Sequence, residues 1–418
     1  MPTRSGWFET QNRMNSRTEF SRHGRKLNRS KQDVMMQNLP RRTIFAFCCV
    51  GLMQLSFTIA APAVCLTAIA ADLHMDYFQK GLFVASVPLG LAIAILASGV
   101  LADRWGFRAL LVCGSAMQVC GFGLLSIADT QALAIAGGFI MGLGSGMADA
   151  LLTPMVNALY PQRRTTATNL LHSFFPLGII LTILGIMGVF AVGMTWRGAC
   201  VSLAIASVPY GVAMLFLPLP AQSHEGTQRL KARVVIRRPE FMLLLAAIFM
   251  AGITELGPSS WLPDFVNQIA GSGQNQGALG LMFFAISMAA GRFTTSALVR
   301  RLGPKCVLVC SGAICVASLL LAANADKIMT IVWLSILGFG VASMWPTILA
   351  CAGNRFPQGG ASMYSLLSAM GNLGGTAGPI TIGSLADYSN IRVAMAVLAA
   401  APLALIVITL LMLRTKGK

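Results

Sequence analysis

The sequence predicts an all-α membrane protein with twelve transmembrane helices in two pseudo-symmetric six-helix bundles. Composition supports this class, because 56% of the 418 residues are hydrophobic and only 11% are charged. The mean hydropathy is +0.71. Soluble domains carry about 25% charged residues, so water is not the main solvent of this chain. The number of apolar stretches and the placement of the basic residues are two further observations that define the class.

Twelve apolar stretches are each long enough to cross a bilayer, which takes about 20 residues. The first six cover residues 43–70, 81–102, 109–127, 132–160, 166–193 and 199–218. The second six cover 241–267, 277–299, 306–324, 328–353, 361–386 and 393–413. The predicted organisation is a basic disordered tail (1–42), an N-terminal bundle (43–218), a central linker (219–240), a C-terminal bundle (241–413) and a short tail (414–418).

The basic residues lie mainly on one side of the predicted membrane. The chain has 31 Lys and Arg residues and a formal net charge of +17. The loops on the other side contain only Lys80, Arg197, Lys327 and Arg392, and Arg292 lies within a span. By the positive-inside rule, both termini are cytoplasmic. The charge therefore indicates membrane topology, and we expect an integral protein of the inner (cytoplasmic) membrane with no nucleic-acid partner.

The two predicted bundles share an internal repeat. At an offset of 196 residues, Gly142 and Gly144 align with Gly338 and Gly340. Matched glycines at one offset are harder to attribute to chance than matched leucines, so the chain is interpreted as a duplicated six-helix unit. Parallel repeats of this kind bind substrate between the halves, near the bilayer midplane.

Two acidic residues fall well inside predicted spans, Asp149 in the fourth and Glu255 in the seventh. Carboxylates at membrane depth are costly, usually face the bundle interior and are usually functional. We predict that both bind protons or a polar substrate; the alternative is a structural hydrogen bond to a neighbouring helix. Pro258 cannot donate to the carbonyl of Thr254, so we expect the seventh helix to be discontinuous beside Glu255.

His172 is the only histidine within a predicted span. Histidine titrates close to neutral pH, and Asn169 lies three residues earlier on the same helical face. A joint coupling role and an interhelical hydrogen bond are both open. Arg292, in the eighth span, either pairs with one of the two buried acids or extends to the membrane interface.

Other polar and aromatic residues in the spans are weaker candidates for a binding site. Trp261 either stacks on a substrate ring or belongs to the aromatic belt at the membrane interface. The remaining candidates, for which packing or an interhelical hydrogen bond is the favoured interpretation, are Gln54, Trp345, Tyr364 and Asn372.

Residues 99–108, Gly-Val-Leu-Ala-Asp-Arg-Trp-Gly-Phe-Arg, form a charged turn between the second and third spans. We call this segment the gating turn, because it resembles the loop between helices 2 and 3 of the major facilitator superfamily, G-x-L-a-D-r-x-G-r-[kr]. In that family the aspartate and arginines hold the outward-facing state. The resemblance implies gating roles for Gly99, Asp103, Arg104, Gly106 and Arg108; the alternative is that they only shape a tight loop. The second half has Arg300 where the first has Asp103. A salt bridge formed by the carboxylate of the turn is therefore expected only in the first half.

Three segments resemble the fucose:proton symporter family within this superfamily. Residues 252–261 fit the pattern G-x-x-E-x-G-x-x-x-W of its seventh helix, and residues 169–178 and 142–149 are similar to its fifth and fourth helices. The first span lacks the acid of the fucose permease, so any proton coupling would depend on Asp149 and Glu255. The resemblance implies a sugar or a related metabolite as substrate.

These features predict a secondary active transporter that moves a small polar solute by proton-coupled alternating access. A proton-antiport exporter of drugs or organic metabolites is the main alternative, and a non-transporting receptor or scaffold is a remote one. The sequence contains no evident nucleophile–base pair, nucleotide-binding motif or metal-ligand cluster. We therefore expect no enzymatic activity, cofactor or metal; the expected partners are the solute, protons and the lipid bilayer, and the protein is expected to be a monomer.

Overall fold

The computed structural model describes residues 41–217, 219, 238–270, 275–356 and 360–414. Residues 1–40, 218, 220–237, 271–274, 357–359 and 415–418 lie outside these ranges, and they include most of the predicted tails and linker. Within them the first half of the chain forms α1 (Arg41–Asp72), α2 (77–105), α3 (107–126), α4 (Gln131–Leu159), α5 (Arg164–Ala191) and α6 (Trp196–Phe216). The second half forms α7 (Pro239–Ala270), α8 (Asn275–Leu302), α9 (Pro304–Asn324), α10 (Lys327–Val341 and Met344–Arg355), α11 (Gly360–Tyr388) and α12 (Ile391–Val397 and Ala400–Arg414).

Each predicted span corresponds to one of these twelve helices. Among the described residues, ten helical segments are long and apolar enough to cross a membrane, and one of them, Tyr77–Ser126, is long enough for two spans. Gly106 divides that segment into α2 and α3 with φ 80° and ψ 165°. α11, which is rich in glycine, is not among the ten but has 29 residues. Because twelve crossings bring the chain back to its starting side, α1 begins and α12 ends at one face, which we call the termini face; the opposite one is the far face.

Proline interrupts the helices at places other than the predicted one. The expectation of a discontinuous seventh helix is wrong, because α7 is continuous through Pro258. The interruptions occur in α10 at residues 342–343 and in α12 at residues 398–399. The first interruption lies four and three residues before Pro346, and the second lies four and three residues before Pro402. A proline lacks the N–H that would bond to the carbonyl four residues earlier.

Close glycine contacts hold equivalent helix pairs together in the two halves. A Cβ atom on Gly142 of α4 would overlap the carbonyl oxygen of Val87 in α2. In the second half, a Cβ atom on Gly338 of α10 would overlap the carbonyl oxygen of Phe284 in α8. The two contacts are related by the repeat offset, which supports the duplication inferred from the sequence. Small residues allow the backbones of membrane helices to approach in this way.

A Gly252→Ala substitution in α7 is expected to destabilise the fold. The added methyl group would overlap the carbonyl oxygen of Gly371 in α11, and overpacking of this kind costs about 1–3 kcal/mol. The melting temperature of the purified protein in detergent should fall accordingly. Gly123→Ala is the matched control, because no atom lies within 4 Å of a Cβ atom there. Equal melting temperatures for the two variants would contradict the prediction.

Among the described residues the two halves meet mainly along three pairs of helices: α1 with α7, α2 with α11, and α5 with α8. Gly81 in α2 lies against Pro379 and Ile380 of α11 near the far face. One helical face of α2 begins at Gly81 and continues in steps of three or four residues. The residues on this face are buried from Gly81 to Ala92 and exposed from Leu96 to Asp103, towards the termini face. The halves therefore close on each other at the far face, and the α2 surface is open towards the termini face.

Candidate functional site

A narrow central cavity of about 20 Å³ lies between the two halves. Its lining residues come from α1 and α5 in the first half and from α7 and α8 in the second. Glu255 and Ser259 are the polar side chains among the described residues that line it; the others are aliphatic or aromatic or contain the thioether of Met288. Glu255 stands midway along the 32-residue helix α7, so the cavity is close to the middle of the fold.

Glu255 forms an ion pair across the α7–α8 interface with Arg292. The Arg292 Nη2 and Glu255 Oε1 atoms are 3.6 Å apart, and Glu255 is only 7% exposed. The second oxygen of Glu255, Oε2, is buried without a hydrogen-bond partner among the described residues. This carboxylate therefore lies between the bundles with unused capacity to bind a proton or a donor.

Arg292 connects this pair to the first half. Its Nη1 atom donates to the backbone oxygen of His172 in α5 at 3.3 Å, and its guanidinium carbon lies 5.5 Å from the centre of the Phe175 ring. The alternative in which Arg292 extends to the membrane interface is wrong, because these contacts turn the side chain inward. Helical periodicity does not fix the rotation of α8 relative to α7, so the sequence could not decide between its two acidic partners.

Asp149 is placed differently from Glu255. It is half-buried in α4, does not line the cavity, and makes no hydrogen bond or ion pair with the described residues. The structure therefore does not bring the two predicted acids together in one site. A role of Asp149 in proton binding stays a prediction.

His172 hydrogen-bonds within the first half. Its Nε2 atom is 3.0 Å from the hydroxyl oxygen of Thr153 in α4, which is the interhelical bond that the sequence left open. The side chain of Asn169 lies outside the described residues, although its backbone belongs to α5. The proposed joint action of His172 and Asn169 therefore stays a prediction.

Gln54 belongs to a buried polar cluster within the first half. Its amide nitrogen donates to Gln118 of α3, and Gln118 donates to Ser145 of α4 at 2.7 Å. The Ser145 hydroxyl also lies 2.9 Å from that of Thr58 in α1. These bonds join α1, α3 and α4 away from the cavity, in agreement with the interhelical-bond interpretation.

Three other candidates lie in α10 and α11 and do not line the cavity. Trp345 follows the interruption of α10; a Cβ atom on Gly371 would overlap its ring, and its buried N–H has no partner among the described residues. Asn372 is 6% exposed and donates to the backbone oxygen of Ser368 at 3.0 Å. Tyr364 is 41% exposed. Binding roles for these residues stay predictions.

Trp261 helps to close the far face. Its side chain is fully buried, so it is not part of a lipid-exposed aromatic belt. Its ring stacks on Tyr77 at the start of α2, with ring centres 6.1 Å apart, and its N–H donates to the backbone oxygen of Pro379. Any stacking on a substrate would require this contact to open.

An ion pair that the sequence did not reveal joins the halves at the far face. Lys80 of α2 and Asp264 of α7 approach to 3.1 Å, and the Asp264 side chain is fully buried. Asp264 also accepts from Thr67 of α1 at 2.9 Å. Near the same face, Asp387 of α11 accepts from the backbone N–H of Phe78 in the first turn of α2 at 2.9 Å, where the positive end of the helix dipole favours an anion.

The gating turn makes few contacts in this conformation. Gly99, Asp103 and Arg104 are exposed, and Asp103 makes no hydrogen bond or ion pair with the described residues. Arg108 donates to the backbone oxygen of Leu217 after α6, at 2.9 Å. Gly106 has the positive φ angle that reverses the chain, and Gly303, its repeat partner, has φ 81° and ψ 155°.

Comparison with known proteins agrees with this architecture. The sequence model of the Major Facilitator Superfamily matches residues 46–362 and 273–418. An uncharacterized MFS-type transporter of Yersinia pestis is 26% identical over 330 residues, covering 78% of this chain and 84% of that protein. Multidrug resistance protein MdtL of Escherichia coli is 30% identical over 156 residues, covering 37% of this chain and 38% of MdtL. The crystal structure of the E. coli fucose:proton symporter FucP has a TM-score of 0.62 and 19% identity, over 90% of this chain and 99% of that one.

The membrane-spanning helices and the match to this family's sequence model show an integral membrane transporter rather than an enzyme. The chain belongs to the Major Facilitator Superfamily. The predictions of a twelve-helix fold in two pseudo-symmetric bundles and of a similarity to the fucose permease are confirmed.

Proposed function

We propose that this transporter moves a small solute by proton-coupled alternating access, with Glu255 as the proton-binding residue. The observation that carries the proposal is the position of Glu255, a buried carboxylate in a cavity lined by both halves. An ionised carboxylate is costly at this depth unless it is paired or protonated. A proton bound there therefore changes the charge balance at the place where a solute would bind.

The distribution of basic residues supports a cytoplasmic termini face. The conformation then corresponds to a carrier that is closed on the outside by Lys80, Asp264 and Asp387 and is open on the cytoplasmic side. In this state the gating turn is exposed and makes few contacts. We propose that Asp103, Arg104 and Arg108 make their cross-helix contacts when the cytoplasmic side closes, with Gly99 and Gly106 allowing the turn.

Proton-antiport export of organic compounds is the second candidate, and the partial similarity to MdtL favours it. The pair formed by Glu255 and Arg292 argues against cationic cargo, because a cation in the cavity would face the guanidinium as well as the carboxylate. The two candidates differ in whether the solute moves in the same direction as the proton or in the opposite direction.

Purified full-length protein in proteoliposomes with a trapped pH indicator tests the proposal. Sugars, sugar acids, nucleosides and organic cations are supplied with and without an imposed proton gradient. Symport predicts that one solute accumulates with an inward gradient and that its entry acidifies the lumen. Antiport predicts that solute entry accompanies proton exit. Equal accumulation with and without the gradient for every transported solute would refute proton coupling.

A further inference from the structure

The ion pair formed by Glu255 and Arg292 is longer than a direct hydrogen bond. Charge-assisted N–H···O bonds usually measure about 2.7–2.9 Å, whereas the nearest atoms here are 3.6 Å apart. The Glu255 Oε2 and Arg292 Nε atoms are both buried without hydrogen-bond partners among the described residues. The guanidinium therefore retains a donor that a second acceptor could use.

The rest of the cavity favours an apolar body. Phe175 and Ile179 line it from α5, and Phe284 and Met288 line it from α8. The cavity measures only about 20 Å³ in this conformation, well below the roughly 300–1,000 Å³ of ligand pockets, so a ligand can enter it only when the halves move further apart. A sugar would bring several hydroxyl groups to a site with few polar partners, and each unpaired hydroxyl is costly to bury. The lining thus suits a small ligand with one polar group.

From these contacts we infer that the transported solute is a small carboxylate with an apolar body, and that its carboxylate replaces Glu255 on Arg292. The inference rests on the proposed function, because protonation of Glu255 is the event that frees Arg292. The apolar part of the ligand would pack against Phe175 and Phe284, and Arg292 would hold the charged end. Arginine is well suited to this, since its planar fork binds carboxylates through two bonds.

Charge balance couples the proton to the anion. In the empty site, ionised Glu255 and Arg292 neutralise each other. In the loaded site, protonated Glu255 is neutral and the ligand carboxylate neutralises Arg292. A site that holds the proton or the anion alone has an uncompensated buried charge, which is strongly unfavourable. The two neutral states are therefore the ones that can pass between the inward and outward conformations.

Few other titratable groups surround this pair in the described part of the chain. The thiol of Cys315 in α9 is close enough to Glu255 to interact with it electrostatically. His172 in α5 is near Arg292 through its backbone oxygen, while its ring is directed to Thr153. Glu255 is thus the carboxylate that the pH dependence of binding should follow.

Calorimetric titration of the purified full-length protein in detergent tests the inference. The probes are matched pairs, benzoate with benzamide and butyrate with butyramide, at two pH values one unit apart. We expect the carboxylates to bind about tenfold or more tightly than the amides, because only they compensate the charge of Arg292. In the wild type, carboxylate affinity should rise as the pH falls, by up to about tenfold per unit if one proton binds with each anion.

Substitutions at the pair give opposite results. Arg292→Gln should weaken carboxylate binding about tenfold or more, and Arg292→Lys, which keeps the charge without the fork, should weaken it less. Glu255→Gln should raise the affinity at the higher pH to that at the lower pH, because the amide resembles the protonated side chain. Arg301→Gln, at an exposed arginine of the same helix, is the matched control and should bind as the wild type does.

The outcomes distinguish this inference from the proposed function. Amides or sugars that bind as tightly as the carboxylates, or carboxylate binding unaffected by both substitutions of Arg292, would overturn the anion site. If a neutral solute then accumulates with the proton gradient, the proposed function stands without it. Should Arg292→Gln fail to fold, as judged by size-exclusion chromatography, Arg292→Lys and the wild-type comparison of acids with amides still decide the question.

Discussion

The Glu255→Gln variant is expected to lose proton-driven accumulation of its solute and to retain solute exchange at equal pH. Glutamine has nearly the same shape as glutamate but cannot exchange a proton, so only the coupling should be removed. With one proton per solute, a gradient of one pH unit supports about tenfold accumulation, since a tenfold ratio corresponds to about 1.4 kcal/mol. In the variant the ratio should fall to about one.

Asp129→Asn is a suitable control for this experiment, because it neutralises an exposed acid in the turn between α3 and α4. It should accumulate solute as the wild type does. Counterflow with labelled solute and no pH gradient shows whether the variant still carries its cargo. Gradient-driven accumulation by Glu255→Gln at the wild-type level would remove Glu255 from the coupling role.

The Asp264→Asn variant is expected to open the far face. The Asp264 side chain is fully buried and that of Lys80 is 14% exposed, so the substitution leaves a largely buried ammonium without its ion partner. Removal of one member of a buried pair costs about 3–5 kcal/mol, and this cost falls on the conformation in which the halves touch. Spin labels are placed at Ile127→Cys and Ile328→Cys, two exposed far-face positions in different halves. Double electron–electron resonance should then report a longer distance between the labels in Asp264→Asn than without this substitution.

The matched control is Asp72→Asn, which breaks a far-face ion pair with Arg197 that lies within the first half. It should leave the distance between the labels unchanged. The exchanged pair Lys80→Asp with Asp264→Lys should restore part of the closed population. A distance distribution in Asp264→Asn identical to that of the wild type would show that other contacts hold the far face closed.

The sequence was sufficient for features that depend on local patterns. Apolar length predicted each helix, and the acid at Glu255 was identified as a candidate because charge is rare inside a span. The ion pair between Lys80 and Asp264 was missed, because Asp264 stands near the end of its predicted span and its partner is 184 positions away. Nothing local relates the two residues; they meet only because the halves close on each other.

The prolines show a second limit of local reasoning. Pro258 removes one backbone donor from α7, yet its fixed φ angle suits a helix. α11 also packs closely on the turns that precede this proline, at Gly252 and at Gly257, and the helix is continuous there. Pro346 and Pro402 remove the same kind of bond, and there the helices are interrupted. Tertiary packing, which a single sequence does not display, decides between these outcomes.

The paired turns at Gly106 and Gly303 constrain how the duplicated halves can diverge. Both glycines have φ near 80° and ψ of 155° to 165°, a region that is essentially restricted to glycine. The position three residues before the glycine is Asp103 in one copy and Arg300 in the other, and the backbone reversal is the same in both. The charge of each turn can therefore change independently in the two halves. Replacement of either glycine, in contrast, would strain the backbone and impair folding.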